Sequence, residues 1–592
     1  MPAVLLTLFL LGAALHAGWT RLATDFPNYY TAAHLVRNGQ HDLREYYDWT
    51  WFERQMNYAG IETQLGAYTP QTPLTMLPMV GLSWLAPLPA KRIWLLLDVG
   101  FLGLTVWMLS RVTRFSASQL WVLAFCGYPS LYSNFVFGQY YIFLLFLLTL
   151  TFYTLHLQKA ATGGFLAGTA FALKLYGGPL LLYFLARRMW RAVVGMLLAL
   201  AVAAGLAIWI FGWEGIHYYL VQILPRTLEG GSIDPYNTGV QTFSTMLRHW
   251  FVAEPELNPH PGLESPWLFF FLRPLGNLSV LLLMAFAASK PNSERRAFAC
   301  VLLGILFLST STGTYSFILL FLPLVLILED TTLPASLAWI AWYALLALQP
   351  HPAWLFPKVW LLLGAFLILG WEQWKSYRSQ WILTVAALVV VLAGSDARRQ
   401  MRAYAQEPGQ RYERVAVEVG ADYSGFPAVS RAGLFYQSMR APRYVLAWLH
   451  DNHIEQLSFP GYAFRPTAPA ADGPIYFELV AHGHSSLMQF DPFTRGTAPS
   501  QLQAPSLGAE VAASPDGKWV AFTRSDLHES KQLWLRNLAA GGEEPLTGGN
   551  CNSSWPAWEL DSRAVLFASD CGRAFGLTAL YRMRLGPNPQ AH

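Results

Sequence analysis

The sequence predicts a polytopic α-helical membrane protein that continues into a C-terminal all-β soluble domain. Of the 592 residues, 54% are hydrophobic and only 13% are charged, whereas soluble domains carry about a quarter charged residues. Long windows without Asp, Glu, Lys or Arg, such as 115–158, recur until about residue 394, where the composition changes sharply. These observations divide the chain into a membrane half (1–394), a linker (395–410) and a β-rich half (411–592).

Thirteen helices are predicted in the membrane half, because a membrane span needs roughly 20 apolar residues. Some of them are shorter, which is common where helices surround a cavity at membrane depth. Their expected ranges are 3–19, 72–86, 91–110, 117–134, 139–158, 163–186, 192–213, 274–289, 297–311, 315–328, 334–349, 352–371 and 380–394.

Basic residues in short loops indicate the orientation of such a bundle. The loops expected on the cytoplasmic side carry Lys91–Arg92, Arg187–Arg191, Lys290–Arg296 and Lys375–Arg378. The loops 20–70 and 214–265 and the β-rich half then face outside, with the N-terminus inside. Arg111, Arg114 and Lys159 also fall outside in this arrangement and count against it. Segment 1–19 can alternatively be read as a cleaved signal peptide, although no basic residue precedes Val4.

Charge and cysteine content exclude some classes of function. The net charge is +4, and no block of Lys or Arg stands out, which argues against a nucleic-acid partner. The four cysteines show no metal-ligand spacing such as C-x-x-C, and no metal site is predicted. Cys551 and Cys571, in the β-rich half, can form a disulfide in an oxidising compartment.

The first acidic residue of the chain, Asp25, follows the first apolar segment almost immediately. Aromatic side chains are frequent in the loop that follows, among them Tyr46, Tyr47 and Trp49. An acid fixed at a membrane surface among aromatic rings suits a lipid-linked or sugar substrate, but Trp and Tyr also collect at headgroup level without any ligand. Asp25 can alternatively cap a helix beginning at Asn28 or be a solvated loop charge.

Four short apolar strand cores recur in the β-rich half. Tyr436, Phe477, Phe522 and Phe567 end these cores, at steps of 41, 45 and 45 residues. Repeats of that period with several strands each are typical of propeller blades. The segment Ser514-Pro-Asp-Gly517 resembles the signature of TolB-type propeller repeats, and its Asp-Gly pair predicts a hairpin turn. The rim of such a propeller can bind an acceptor or an envelope protein partner, or it can be a cap without a ligand.

Several motifs occur in order through residues 20–330. They are Asp25-x3-Tyr29-Tyr30-x-Ala32-Ala33 with Gly39, Tyr68-x-Pro70-x2-Pro73-Leu74, Ala90-x3-Trp94, Gly138-Gln139, and Gly168-x5-Lys174 before Arg187-Arg188. As a set they resemble the GT-C membrane glycosyltransferases, in particular the polyprenyl-phosphate-mannose-dependent mannosyltransferases of glycosyltransferase family 87. The chain departs from the family's Tyr-Pro-Pro-Leu at residues 68–74, and it carries Asp98 where an amide or apolar residue is expected.

The resemblance implies transfer of a sugar, mannose in the family, from a polyprenyl phosphate to an acceptor hydroxyl on the outer face. Asp25 corresponds to the general base, which takes the hydroxyl proton as the new bond forms. The anomeric configuration would be inverted, and no cofactor is required. The implied partners are the polyprenyl-phosphate sugar, a glycan or glycolipid acceptor and membrane lipids. The implied location is a bacterial inner membrane, with the β-rich half periplasmic or extracellular.

The same resemblance suggests substrate contacts, each with a plain structural alternative. Lys174 lies at membrane depth and can bind the donor phosphate or pair with Asp98, and Arg273 can bind phosphate or extend to the headgroups. Gln139 can cap or pack a helix, and the predicted topology puts it on the side away from Asp25. The other candidates, which can also be ordinary core or loop residues, are Tyr29, Tyr30, Tyr68, His217, Asn237 and Gln241.

Two functions from other classes fit the same composition. One is a lipid or sugar transporter with a regulatory tail, although no inverted repeat is evident in the sequence. The other is a non-catalytic envelope scaffold in which the β-rich half does the binding.

Overall fold

A computed structural model describes most of the chain and divides it as the sequence predicts, into a helical first part and a C-terminal all-β part. The described residues are 2–23, 25–62, 65–231, 234–289, 294–349, 351–374, 379–418, 421–440, 443–500, 510–526 and 528–585. Lys290, Lys375 and Arg378, which entered the predicted orientation, lie outside these residues.

The helical part contains α-helices of very different lengths, with short 3-10 and π segments between some of them. The α-helices are α1 Pro2–Trp19, α2 Asp25–Arg37, α3 Leu43–Tyr46, α4 Trp49–Tyr58, α5 Leu77–Val80, α6 Pro87–Val112, α7 Ala117–Cys126, α8 Tyr128–Phe137, α9 Tyr141–His156, α10 Ala160–Lys174, α11 Leu180–Ala186, α12 Trp190–Tyr218, α13 Leu224–Glu229, α14 Phe243–Phe251, α15 Pro266–Ala288, α16 Glu294–Leu308, α17 Phe321–Leu328, α18 Leu333–Ala347, α19 Pro357–Trp374, α20 Ser379–Tyr404 and α21 Pro408–Arg411.

Thirteen membrane-spanning helices are not confirmed. Within the described residues, four segments are long and apolar enough to cross a membrane: Pro87–Val112, Trp190–Glu229, Pro266–Ala288 and Ala353–Trp371. The pair α7 and α8 makes a fifth if it counts as one span, but it is bent by 79°. Other apolar helices, such as Tyr141–His156, are shorter. The chain is therefore a membrane protein whose bundle contains many short and broken helices.

Residues 72–86 do not form the predicted helix. Only the short helix α5 and a 3-10 turn lie there. The residues just before α5 instead cap the C-terminal end of α10. The Thr72 and Thr75 hydroxyls donate hydrogen bonds to the carbonyl oxygens of Ala172 and Leu173, each at 2.7 Å. The last carbonyls of a helix lack intrahelical partners, so this contact satisfies the C-terminus of α10 and fixes Lys174, its last residue.

The ends of the helices correct the predicted sides of several basic residues. Lys91 Nζ donates to the carbonyl oxygens of Arg21 and Val136, each at 2.6 Å, so Lys91 lies on the same side as the loop 20–70 and not opposite it. The physical reason is that α6 begins at Pro87, which places Lys91 in its first turns beside the end of α1. Conversely, Arg114 lies with Arg295 at the opposite end, where both contact the carboxylate of Glu329.

The C-terminal part consists of four antiparallel sheets of four strands each. The strands are β1 Glu413–Val415, β2 Tyr423–Ser430, β3 Gly433–Arg440, β4 Arg443–His450, β5 His453–Leu457, β6 Tyr462–Thr467, β7 Ile475–Ala481, β8 His484–Asp491, β9 Gly496–Pro499, β10 Val511–Ala513, β11 Trp519–Ser525, β12 Lys531–Asn537, β13 Glu543–Pro545, β14 Ser553–Trp558, β15 Ala564–Ser569 and β16 Ala579–Arg584.

The four recurring cores of the sequence form β3, β7 and β11, each the second strand of its sheet in chain order, and β15, the second strand of the run β14–β16. The Asp516-Gly517 turn joins β10 to β11, with Gly517 at φ +70°, a conformation that favours glycine. The last sheet takes its outer strand from the start of the domain, because β1 pairs with β16. This pairing ties the end of the chain to the segment that leaves the membrane helices.

The sheets pack in a row, and the helical part contacts this row. Shared buried clusters join β10–β13 to β14–β16, that sheet to β2–β5, and β2–β5 to β6–β9. Helix α4 contacts this row directly: Trp49 Nε1 donates to the Phe575 carbonyl at 2.8 Å, and Arg54 forms an ion pair with Glu478 at 2.9 Å. The two parts of the chain therefore enclose a common interface.

An ion pair crosses this interface beside a disulfide of the β-rich half. Cys551 and Cys571 are joined in a disulfide, the pairing that the sequence allows. Next to it, the fully buried carboxylate of Asp570 forms an ion pair with Arg226 on α13, with 2.9 Å between nitrogen and oxygen.

Candidate active site

A cavity of about 630 Å³ lies where the membrane helices, both predicted loops and the β-sheets meet. This volume falls within the range of small-molecule sites, about 300–1,000 Å³. The polar and aromatic side chains among its lining residues are Asp25, Asn28, Trp49, Thr69, Gln71, Thr72, Gln139, Tyr141, Phe171, Lys174, Tyr176, Thr227, Asp234, Asn237, Asn277, Ser309, Thr310, Ser311, Tyr315 and Asp422.

Asp25 lines this cavity from the first turn of α2. The helix begins at Asp25 and not at Asn28, so the carboxylate sits where the helix dipole favours negative charge. It is half-buried and lies within electrostatic range of the ammonium groups of Lys91 and Lys174. Asp25 is thus an acid of the cavity wall, held close to a cation.

Lys174 lies in the cavity within a polar network. Its Nζ donates to the Tyr29 hydroxyl at 2.6 Å and approaches the side-chain oxygens of Gln71 and Gln139 at 3.4 Å. The Tyr29 hydroxyl in turn donates to Gln139 Oε1 at 2.6 Å. Gln139 therefore lies on the same side as Asp25, contrary to the predicted topology, because α7 and α8 bend back toward the cavity.

The structure keeps Lys174 apart from Asp98. Both carboxylate oxygens of Asp98 are buried and lack a hydrogen-bond partner among the described residues. Lys174 is also the only Lys or Arg among the described residues that line the cavity. Of its two predicted roles, pairing with Asp98 is therefore wrong.

Other predicted contact residues lie away from the cavity. The Tyr30 hydroxyl donates to the Leu85 carbonyl and the Tyr68 hydroxyl to the Thr72 carbonyl, so both rings hold loop segments. His217 pairs with Glu529 of the β-rich half at 3.1 Å. Gln241 donates to the Ala353 carbonyl, whereas Asn237 does line the cavity.

Arg273 is also outside this cavity, and it does not extend to the membrane surface. Its guanidinium is buried, donating to the Glu229 carbonyl at 3.0 Å and to Gln400 Oε1 at 2.9 Å. It therefore connects α13, α15 and α20 near the interface with the β-sheets.

Sequence reasoning missed two acids of the cavity wall, Asp234 and Asp422. Asp234 follows α13, and Asp422 precedes β2, 188 positions later in the chain. Burial raises the pKa of Asp234 to about 6; the Tyr236 N–H opposes this shift, and the charge of Asp422 adds to it. Burial also raises the pKa of Asp422. No local pattern indicates this pair, because the two residues meet only when the β-rich half docks.

Three buried side chains of the cavity wall have unused hydrogen-bonding atoms. They are Asn28 Oδ1, Thr69 Oγ1 and Thr227 Oγ1, and none finds a partner among the described residues. Buried polar groups are nearly always hydrogen-bonded. A polar ligand in the cavity can supply hydrogen-bond partners for these three side chains.

Glu53 supports the loop that forms one edge of the cavity. It is fully buried, and its Oε2 accepts a hydrogen bond at 2.8 Å from the N–H of Gly66, a lining residue. Burial raises the pKa of Glu53 to about 8, although the Gly66 N–H opposes the shift. In the unfolded chain the carboxyl ionises near pH 4.5, so the folded state binds one more proton between about pH 4.5 and 8.

We therefore expect the free energy of unfolding to fall as the pH rises through this window, by at most roughly 1.4 kcal/mol per pH unit from this group. Glu53→Gln keeps the oxygen that accepts from Gly66 but cannot ionise, so its Tm should fall less than the wild-type Tm between pH 5 and 8. Thermal unfolding in detergent measures the difference. Parallel pH profiles for the two proteins would contradict the assignment.

The fold is thus an apolar helical bundle with a polar cavity at its junction with a β-domain. The evidence for the chemistry is that residues 67–323 match the family model described as "Glycosyltransferase family 87", which indicates glycosyltransferase activity. This match confirms the resemblance over those residues, which include Gln139, Lys174 and Asn237. Asp25 lies upstream of the matched segment.

The chain is similar over 28–29% of its length to parts of solved structures. These are a TolB protein from Agrobacterium tumefaciens (19% identity, 28% of this chain and 58% of that chain, TM-score 0.15), TolB from Acinetobacter baumannii (13%, 28% and 44%, TM-score 0.13) and the tricorn protease (14%, 29% and 18%, TM-score 0.12). The chain thus covers less than two thirds of each. Comparison with curated proteins finds no match.

Proposed function

We propose that the chain transfers a sugar, mannose by its resemblance, from a polyprenyl-phosphate donor to an acceptor hydroxyl on the outer face of the membrane. Asp25 acts as general base and Lys174 binds the donor phosphate. The observation that carries the proposal is that this carboxylate and this ammonium group line one cavity, within electrostatic range of each other.

The charge of the cavity favours a lipid monophosphate over a nucleotide as the donor. A sugar joined to a polyprenyl phosphate is a phosphodiester with one negative charge, and Lys174 is the only Lys or Arg among the described lining residues. A nucleotide diphosphate carries more negative charge and would meet Asp25, Asp234 and Asp422 in the same cavity. One ammonium group is therefore matched to one phosphodiester.

The cavity also has an apolar wall suited to a lipid chain. Leu228, Leu281, Ile305 and Leu308 line it from helices α13, α15 and α16. These helices belong to the membrane bundle, so a polyprenyl tail can stay among apolar side chains while its phosphate reaches Lys174.

Asp25 takes up the proton that the reaction releases, and Lys174 lies beside the negative charge that develops on the phosphate. The acceptor oxygen attacks the anomeric carbon as its proton passes to Asp25, and the bond from that carbon to the phosphate oxygen breaks. The products are the new glycoside and a polyprenyl monophosphate, whose additional negative charge develops beside Lys174. A single displacement of this kind inverts the anomeric configuration.

The distribution of basic residues supports an outer location for the cavity. Helix α10 runs from Ala160 to Lys174 with Lys159 as its N-cap, so Lys159 lies roughly 22 Å from the cavity at 1.5 Å per residue. Arg114, Arg295 and Arg296 meet at the same far end, around Glu329 and Asp330. Basic residues concentrate on the cytoplasmic side of membrane proteins, so this group favours an outer cavity, whereas Lys91 on the cavity side counts against it.

Transfer from a defined donor tests the proposal. The full-length protein in liposomes is incubated with labelled polyprenyl-phosphate mannose and with a membrane extract as the source of acceptor. We expect label in a new glycoside and none when the corresponding nucleotide sugar replaces the lipid donor. No transfer from any polyprenyl-phosphate hexose would refute the proposal and favour a transporter or a scaffold.

Lys174→Gln should lower kcat/KM for the lipid donor by roughly 10- to 100-fold. The estimate rests on the about 1.5–3 kcal/mol that a hydrogen bond to a charged group contributes. Initial rates at varied donor concentration measure the effect. Lys159→Gln is the matched control, because that exposed lysine lies at the far end of the same helix. Equal kinetics for the two variants would exclude Lys174 from phosphate binding.

A further inference from the structure

We propose that the β-rich half completes the acceptor site and selects an uncharged, hydroxyl-rich acceptor through an acceptor wall formed by Thr227, Asp234, Asn237, Asp422 and Leu577. This inference rests on the proposed function, since it assigns the second substrate of the same cavity. The wall consists of residues from α13, from the loop after it and from two segments of the β-rich half, and all five residues line the cavity.

Asp422 presents a carboxylate that the protein itself does not use. Its backbone is fixed, because its N–H donates to the Met439 carbonyl at 3.2 Å and its carbonyl accepts from Arg573 at 2.9 Å. The half-buried side chain makes no hydrogen bond or ion pair with the described residues. A carboxylate held in place at a cavity, with its oxygens unused, is available to a ligand.

Asp234 and Thr227 add further acceptor atoms to the wall. One carboxylate oxygen of Asp234 accepts from the Tyr236 N–H at 2.9 Å, which fixes the side chain and leaves the second oxygen for a ligand. The Thr227 hydroxyl is buried and unpartnered among the described residues, whereas its carbonyl is already bonded by Thr310. This unused buried hydroxyl is independent evidence for a polar ligand at the wall.

Arg573 holds the segments of the wall together from behind. Its fully buried guanidinium donates to the carbonyl oxygens of Ala421, Asp422 and Leu577 and to the carboxylates of Glu254 and Glu256, at 2.7–3.1 Å. All these hydrogen bonds go to protein atoms, so the Arg573 guanidinium does not neutralise a ligand. It acts as a positioning residue that fixes Asp422 and Leu577 against the loop 214–265.

The chemistry of the wall defines the acceptor class. Two neighbouring carboxylates accept hydrogen bonds from hydroxyl groups, and Leu577 offers an apolar surface for the C–H face of a sugar ring. The same carboxylates repel a phosphate or carboxylate on the acceptor, and Lys174 is already matched to the donor. A neutral glycan or polyol fits this arrangement, whereas an anionic acceptor does not.

Binding of two matched probes tests the wall without requiring turnover. The full-length protein in nanodiscs, saturated with polyprenyl monophosphate, is titrated with methyl α-mannoside and with its 6-phosphate by saturation-transfer NMR. We expect the neutral probe to bind at least about 10-fold more tightly. Asp422→Asn and Asp234→Asn should each weaken its binding about 10-fold and reduce the preference, since charged hydrogen bonds contribute about 1.5–3 kcal/mol.

Asp451→Asn is the control, because that side chain of the β-rich half is fully exposed. Equal binding of the two probes, no binding of the neutral one, or wall variants that match the control would overturn the inference. Thermal unfolding shows whether each variant is folded. If one wall variant is not folded, the binding of the two probes to the other wall variant tests the inference. If polyprenyl monophosphate itself does not bind, the proposed donor is wrong. The binding of the two mannoside probes still tests the acceptor wall in that case.

Discussion

Asp25→Asn is expected to lower kcat for sugar transfer by roughly 10²- to 10⁴-fold, the contribution typical of a positioned general base. The amide keeps the size and hydrogen-bonding shape of the side chain but cannot accept the hydroxyl proton. Because Lys174, Tyr29 and Gln139 hold the phosphate side of the cavity independently, the donor KM should change little. Transfer rates of the reconstituted protein, measured at saturating donor, give kcat.

Asp42→Asn provides the matched control for this variant. Asp42 lies in the same loop, where it caps α3 and pairs with Arg44 near the surface, and Asn is an equally good N-cap. We expect wild-type kcat in the control. If Asp25→Asn keeps the wild-type kcat, the general base is another residue.

Of the substitutions proposed as tests, Arg573→Met should lower the free energy of unfolding the most. The guanidinium is fully buried, and its removal leaves Glu254 and Glu256 with Arg414 as their remaining cation and three carbonyls without a donor. Removing one partner of a buried ion pair costs about 3–5 kcal/mol. Thermal unfolding of the solubilised protein should therefore show a clearly lower Tm, together with weaker acceptor use.

Arg584→Met is the control for this change, because Arg584 is exposed and pairs only loosely with Glu413, at 3.5 Å. Surface pairs contribute about 0–1 kcal/mol, so its Tm should stay near the wild-type value. Arg573→Lys should lie between the two, since Lys keeps the charge but lacks the planar fork that reaches both carboxylates and carbonyls. A Tm for Arg573→Met equal to that of Arg584→Met would contradict the role given to Arg573.

Resemblance to the family made Asp25, Gln139, Lys174 and Asn237 candidates from the sequence, and all four line the cavity. The same reasoning named Tyr30, Tyr68, His217, Gln241 and Arg273, which bond to other parts of the protein. A match to a family motif singles out a residue. It does not say whether the side chain contacts a ligand or makes a hydrogen bond that holds a loop. Only the three-dimensional partners separate these two cases.

The sequence by itself determined the helical membrane half, the β-rich half with its four repeats, and the acid that follows the first apolar segment. These features are local: apolar runs, strand cores of regular period and a charge beside a membrane helix are all read from neighbouring residues. The tertiary structure alone decided which helices are broken, on which side Lys91 and Gln139 lie, and that Asp422 faces the cavity of Asp25. The physical reason is that these outcomes depend on contacts between residues far apart in the chain, such as the Thr72 and Thr75 hydroxyls on the end of α10 and Arg573 on the loop around Glu254.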